Sequence, residues 1–187
     1  MPRHFRRNPL RDVLEVVLLV GVALLVAFGV RTYVAEPFII PSASMSDTLS
    51  VGDRLVGEKL TYRASSPKSG DIVTFVDPDQ PDLTLIKRVV ATEGQVVDLK
   101  DGKVFVDGVA LDEPYTDGRP SEALPTHSPS LPSDISYPYT VPAGHVWVMG
   151  DNRTNSQDSR YFGAIPVSSV TSRAVFVFWP LDHAGLI

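Results

Sequence analysis

The order of apolar and polar positions divides the chain into two unequal parts. From Val16 to Val30 it reads VVLLVGVALLVAFGV without a polar side chain, and extending the run back to Val13 adds a single charge, Glu15. At ~1.5 Å per helical residue, the eighteen residues from Val13 to Val30 reach roughly 27 Å, close to the ~30 Å hydrocarbon core of a bilayer. The run predicts a transmembrane anchor over 13–34, preceded by a short cytoplasmic N-terminus over 1–12. A buried core helix is one alternative. A cleaved signal peptide is the other, but a cut after Ala35 would put Tyr33 where a small residue is required.

After Pro37 the apolar segments become short, β-branched and separated by turn residues. Strands are predicted at Asp71–Val76, Leu83–Val90, His145–Met149 and Arg173–Trp179, with a hairpin of Val96–Leu99 and Lys103–Val106 closed at Asp101-Gly102. Residues 35–187 are therefore expected to form one mainly β domain. Seven of the sixteen prolines fall between Ala110 and Pro142. So many missing amide donors exclude a regular central strand, so about 110–142 is expected to be a surface excursion carrying little chemistry.

Composition narrows the chemistry. The 187 residues contain no cysteine, which excludes a disulfide framework, a thiol nucleophile and a Cys-based zinc site. The four histidines, His4, His127, His145 and His183, have no metal-ligand spacing, so no metal and no cofactor is expected. The net charge of −5 conceals +3 on residues 1–34 and −8 on the remainder. An acidic domain without a basic stripe argues against nucleic acid. Arg3, Arg6, Arg7 and Arg11 precede the apolar run and only Arg31 closely follows it. That bias puts the N-terminus on the cytoplasmic side and the β domain outside.

Three segments combine polar residues with unusual surroundings: Ile40–Met45 (IPSASM), Leu85–Val90 (LIKRVV) and Gly150–Arg160 (GDNRTNSQDSR). Strand alternation puts Lys87 on one face with Leu83, Leu85 and Val89. An amine held dry among aliphatics falls below the ~10.4 of a solvated lysine and becomes a base at working pH, and a serine needs such a base to become a nucleophile. Ser44 lies between Phe38-Ile39-Ile40 and Met45. Taken singly, each segment also reads as a turn or as a snorkelling edge lysine.

Together the segments resemble the bacterial type I signal peptidases (leader peptidases), membrane-anchored serine proteases that remove signal peptides from exported proteins. The resemblance spans nearly the whole chain. It takes in the anchor, the Ser42–Met45 box with Thr48-Leu49, Gly70–Val73, Lys87–Val90, Gly150–Gly163 and the close from Arg173-Ala174 to Trp179-Pro180. It implies Ser44 as nucleophile, Lys87 as general base, and Ser42 supplying an oxyanion-hole hydroxyl beside the Ser44 amide. It further implies that Ser156 orients the lysine amine and that Arg88 with Asp151, and Asp158 with Arg160, form supporting ion pairs. Phe38, Ile40, Pro41, Met45, Leu49 and Ile86 would wall shallow pockets for small residues at the first and third positions before the cut. The implied partners are signal peptides, the lipid bilayer and a nearby secretion translocon; the implied place is the cell membrane, single-pass, with the catalytic domain outside. Two positions depart from the family pattern: Asp47 stands where proline is common, and Ala91 where glycine is frequent. A membrane-tethered β-rich binding module without catalysis is the alternative. A self-cleaving repressor-type Ser/Lys protease would carry a DNA-binding module instead of a span, and the eukaryotic-type signal peptidases would have histidine in place of Lys87.

Overall fold

The computed structural model describes residues 9–131 and 133–187; Arg3, Arg6, Arg7 and Pro132 lie outside them. The apolar run forms one helix, α1 (Pro9–Tyr33). It is long and apolar enough to cross a membrane, and its large side chains are exposed, Leu18 and Leu25 among them, so it is not a core helix. Only Val34 separates it from the first strand, β1 (Ala35–Ile39). The junction is tied on both sides: Lys59 Nζ donates to Arg31 O (3.1 Å) and pairs with Glu36 (2.7 Å), and Lys59 N–H donates to Val34 O (2.8 Å). The Arg63 guanidinium lies 5.5 Å from the Tyr33 ring centre.

The rest is mainly β. The larger sheet contains β1, β2 (Arg54–Glu58), β3 (Ile72–Val76), β4 (Thr84–Thr92), β9 (His145–Met149), β10 (Ile165–Pro166), β11 (Val170–Trp179) and β12 (Gly185–Leu186). Its antiparallel order is β1-β2-β11-β3-β4-β9-β10, with β12 added to β11. A smaller sheet, order β7-β6-β5-β8, is built from β5 (Val96–Lys100), β6 (Lys103–Val106), β7 (Val109–Ala110) and β8 (Tyr139–Thr140). The predicted hairpin is β5–β6, and its Asp101 and Gly102 both take positive φ, as a tight primed turn requires.

Strand β3, IVTFV, is buried on both faces over its first four residues, which fits its central place between β11 and β4. Register then sets the chemistry. Val73 faces Lys87 and Ile72 faces Arg88 across β3–β4, while Arg88 faces Met149 across β4–β9. The strand carrying Lys87 thus lies beside the end of β9, where the Gly150 loop begins.

Two expectations are corrected here. Leu83 precedes β4 and is 47% exposed, so it does not help to dry Lys87; its amide closes a turn onto Gln80 O (2.9 Å), ahead of the strand's alternation. The 110–142 excursion is more than a surface loop. Its end returns into the core, where Tyr137 and Tyr139 pack on the buried Trp147 at 6.0 and 4.7 Å between ring centres. Its start packs on the polar loop, as described below.

Candidate active site

Ser44 sits in a single 3₁₀ turn, Ala43–Met45, reached directly from β1. The turn is clamped by the loop after β9: Asn152 N–H donates to Ser44 O and Asn152 Nδ2 to Ala43 O, each at 3.0 Å. The approach is so close that a Cβ on Gly150 would lie 2.5 Å from Ser44 O and 2.3 Å from Ser156 Oγ. Only glycine fits there.

Lys87 projects from the middle of β4 and is 3% exposed; Ser44 is 8% exposed. Lys87 Nζ lies 2.8 Å from Ser44 Oγ and 3.0 Å from Ile86 O. Neither partner is a carboxylate. Burial pushes the amine down from 10.5 to about 8, against the upward pull of the Asp158, Asp77 and Asp151 charges. Two of those carboxylates are already engaged, which explains why burial prevails. Asp151 receives Arg88 in a bidentate pair (2.8 and 2.7 Å) plus Thr48 Oγ1 (2.5 Å). Asp158 receives Arg160 in another (2.9 and 2.9 Å) plus the Gly150 amide (3.0 Å).

The other predicted residues are placed as follows. Ser42 Oγ lies 3.4 Å from Ser44 Oγ. Ser156 lines the same cavity as Ser44, yet its buried Oγ has no hydrogen-bond partner, so it is not among the atoms touching the lysine amine. Phe38, Ile40, Met45, Leu49 and Ile86 join one apolar cluster, whereas Pro41 is exposed outside it. Asp47 takes φ +78° and pairs with Arg119 from the excursion. Proline, locked near −65°, could not adopt that backbone, so the departure at this position has a conformational counterpart. Ala91 is fully buried opposite Trp147, next to a bulge in β4.

Several residues at the site were not singled out from sequence. Arg153, 1% exposed, makes a bidentate pair with Glu113 (2.9 and 2.7 Å) and donates to Ser121 Oγ (2.6 Å) and Gly150 O (2.9 Å). Tyr115 lies under the Arg88 guanidinium at 4.0 Å and donates to Glu113 at 2.9 Å. A cavity of about 550 Å³ opens beside Ser44, walled by Leu85, Tyr161 and the excursion residues Leu124, Pro125 and Thr126. The density of polar residues after Gly150 signals Arg153; nothing local to Glu113 or Leu124 reveals partners some forty residues away.

A buried amine in contact with a serine hydroxyl, braced by paired arginines, is equipped for nucleophilic chemistry. Comparison with known proteins identifies the family. Residues 13–179 match the family model for signal peptidase, peptidase S26. Over 100% of this chain and 78% of the relative, the sequence is 35% identical to a signal peptidase I of Mycobacterium tuberculosis. It is 39% identical to a probable signal peptidase I-1 of Synechocystis, over 95% and 88% respectively, and 37% identical to a signal peptidase I of Leptolyngbya laminosa, over 92% and 82%. The chain belongs to the signal peptidase family, peptidase S26, hydrolases that cleave signal peptides.

Proposed function

We propose that this chain is a membrane-anchored serine endopeptidase that cuts signal peptides from exported preproteins after small residues, using Ser44 and Lys87. One observation carries the reading: Lys87 Nζ is 2.8 Å from Ser44 Oγ, nearly fully buried and without a carboxylate partner. In its neutral form the amine accepts the Ser44 proton as Oγ attacks the scissile carbonyl. The Ser44 amide and Ser42 hydroxyl stabilise the oxyanion. The ammonium passes its proton to the departing amine, and an acyl-enzyme on Ser44 remains. The freed amine then deprotonates the water that hydrolyses this ester. Ser156 is the hydroxyl available to orient the amine, and the Arg88–Asp151 and Arg160–Asp158 pairs hold the loop that clamps Ser44.

Small-residue selection is assigned to the apolar cluster of Phe38, Ile40, Met45, Leu49 and Ile86, which packs behind the Ser44 turn, and to the exposed Pro41 beside it in sequence. Such a packed wall leaves little room for a large side chain. Exposed, apolar α1 supports a single membrane span with the N-terminus cytoplasmic and the catalytic domain outside. There the bilayer is a partner and substrates arrive from the export translocon. A tethered binding module would have no use for an unpaired buried amine beside a serine.

The deciding experiment is cleavage of a preprotein in detergent by wild type and by Ser44→Ala. Cleavage by the first alone is expected; turnover by purified Ser44→Ala would overturn the assignment.

A further inference from the structure

The excursion supplies part of the wall of the Ser44 cavity. It is pinned on one side by Ser121, whose amide donates to Gly102 O (2.8 Å) and whose hydroxyl receives Arg153 (2.6 Å), and by Glu122 O, which accepts from Arg160 (3.2 Å). On the other side the Ser128 amide donates to Tyr161 O (2.9 Å) and the Ser128 hydroxyl to Asp79 (2.5 Å). Residues 123–127 bridge these anchors as a short strap, and Leu124, Pro125 and Thr126 turn toward the cavity that contains Ser44.

The strap stands on the lysine's side of the site. Leu85 and Lys87 share one face of β4 by alternation, and Leu85 lines the cavity. Ile86, on the opposite face, belongs to the apolar cluster with Ile40 and Met45. The hollow does not stop at the strap: Leu85, Gln157 and Tyr161 also line a neighbouring cavity of about 400 Å³ that ends at Asp77 and Asp79. The Ser44 cavity and its neighbour thus adjoin at Leu85, Gln157 and Tyr161, with the strap along the wall of the first.

Proton bookkeeping fixes what enters these cavities. The amine that takes the Ser44 proton returns it to the departing nitrogen, so the chain beyond the cut begins within hydrogen-bond reach of Nζ. We propose that the Leu124–Thr126 strap, with Leu85 and Tyr161, forms a specificity wall for the first residues of the released polypeptide. This rests on the Ser44/Lys87 reading and adds to it a selectivity on the far side of the cut. The wall discriminates among apolar side chains by how closely they pack against Leu124 and Leu85, and Arg153 and Arg160, which hold Ser121 and Glu122 O, keep it in place.

The test compares preproteins identical up to the cut, with Ala or Trp placed in turn at each of the first three positions after it. The readout is the ratio of kcat/KM for the Ala and Trp substrates within one enzyme, which cancels any inactive fraction. Leu124→Ala should reduce the wild-type preference for Ala by about tenfold at one of these positions, the scale of a small steric change in an apolar pocket. Leu124→Trp should sharpen it. Neither should alter the ratio between Ala and Val substrates at the residue before the cut. An unchanged ratio after the cut in both variants, or a shift confined to residues before it, overturns the wall while leaving the dyad standing. Loss of the dyad itself is read separately from Ser44→Ala.

Discussion

Three buried cationic side chains and one half-buried one surround the Gly150 loop, and they are treated in two ways. Arg153 and Arg160, each 1% exposed, and the partly covered Arg88 each have a bidentate carboxylate. Lys87, 3% exposed, has a hydroxyl and a carbonyl. Removing a charge from water is costly unless a counter-charge compensates. The arginines are compensated and cannot lose a proton, so they stay charged and rigid. The lysine is left short of compensation and can lose its proton, so its neutral form is favoured. The difference between the bracing arginines and the proposed base is the presence or absence of a carboxylate.

The largest effects should come from removing the uncompensated member. Lys87→Met and Ser44→Ala should each abolish preprotein cleavage, and the double variant should be no worse than either, because the two groups act as a unit. Lys87→Met should nonetheless melt at or above the wild-type temperature at pH 7; a clear drop would mean the lysine was compensated after all. On the paired side the sign reverses. Asp158→Asn strands Arg160 and should cost about 3–5 kcal/mol in denaturant unfolding, so a near-neutral result would erase the contrast.

Smaller effects sharpen the comparison. Ser42→Ala should lower kcat by ~10²–10³ with KM little changed, since the Ser44 amide remains as a donor; an unchanged kcat would reduce Ser42 to a turn hydroxyl. The acid limb of kcat/KM should fall near the lysine's value of about 8. Stability should follow the same group. Below about 8 both the folded and unfolded chains hold the proton and the cost of the buried charge is complete. Between about 8 and 10.5 the unfolded chain binds more protons, so stability rises with pH by about 3 kcal/mol. Lys87→Met should lack that rise, and an identical pH curve for both proteins would contradict it. The exposed Asp47–Arg119 pair is the smallest test: Arg119→Ala should leave the thermal midpoint unmoved, because exposed pairs gain little.

The strands were legible because they follow from local pattern, whereas the pairing of Ser44 with Lys87, 43 residues apart, was legible only through the family resemblance. Short β-branched runs bounded by turn residues locate β3, β4, β9 and β11, and the Asp-Gly turn fixes the β5–β6 register. Alternation failed at Leu83, where turn hydrogen bonding holds the residue outside the strand, which starts only at Thr84. The excursion was misread because its proline content describes what it cannot form, whereas its role depends on distant partners: Glu113 on Arg153, Tyr115 on Arg88, Ser128 on Asp79. Such contacts leave no periodicity. Ser156 shows another limit, since a sequence box can bring a hydroxyl into the cavity without specifying which atom it meets.

The single residue between α1 and β1 has a directional consequence. A helix in a bilayer is free to spin about its own axis, and a domain on a slack tether would scan every bearing independently. Here Lys59 and Arg63 tie the helix end to the β domain, so with α1 in a bilayer, as proposed, helix and cleft would turn as one rotor. The azimuth at which a neighbouring apolar segment met α1 would then determine whether its exposed end faced Ser44 or the back of the sheet. Productive encounters would become a matter of angular alignment in the membrane plane as well as of distance. Glycine residues inserted beside Val34 would release that alignment without touching a catalytic atom.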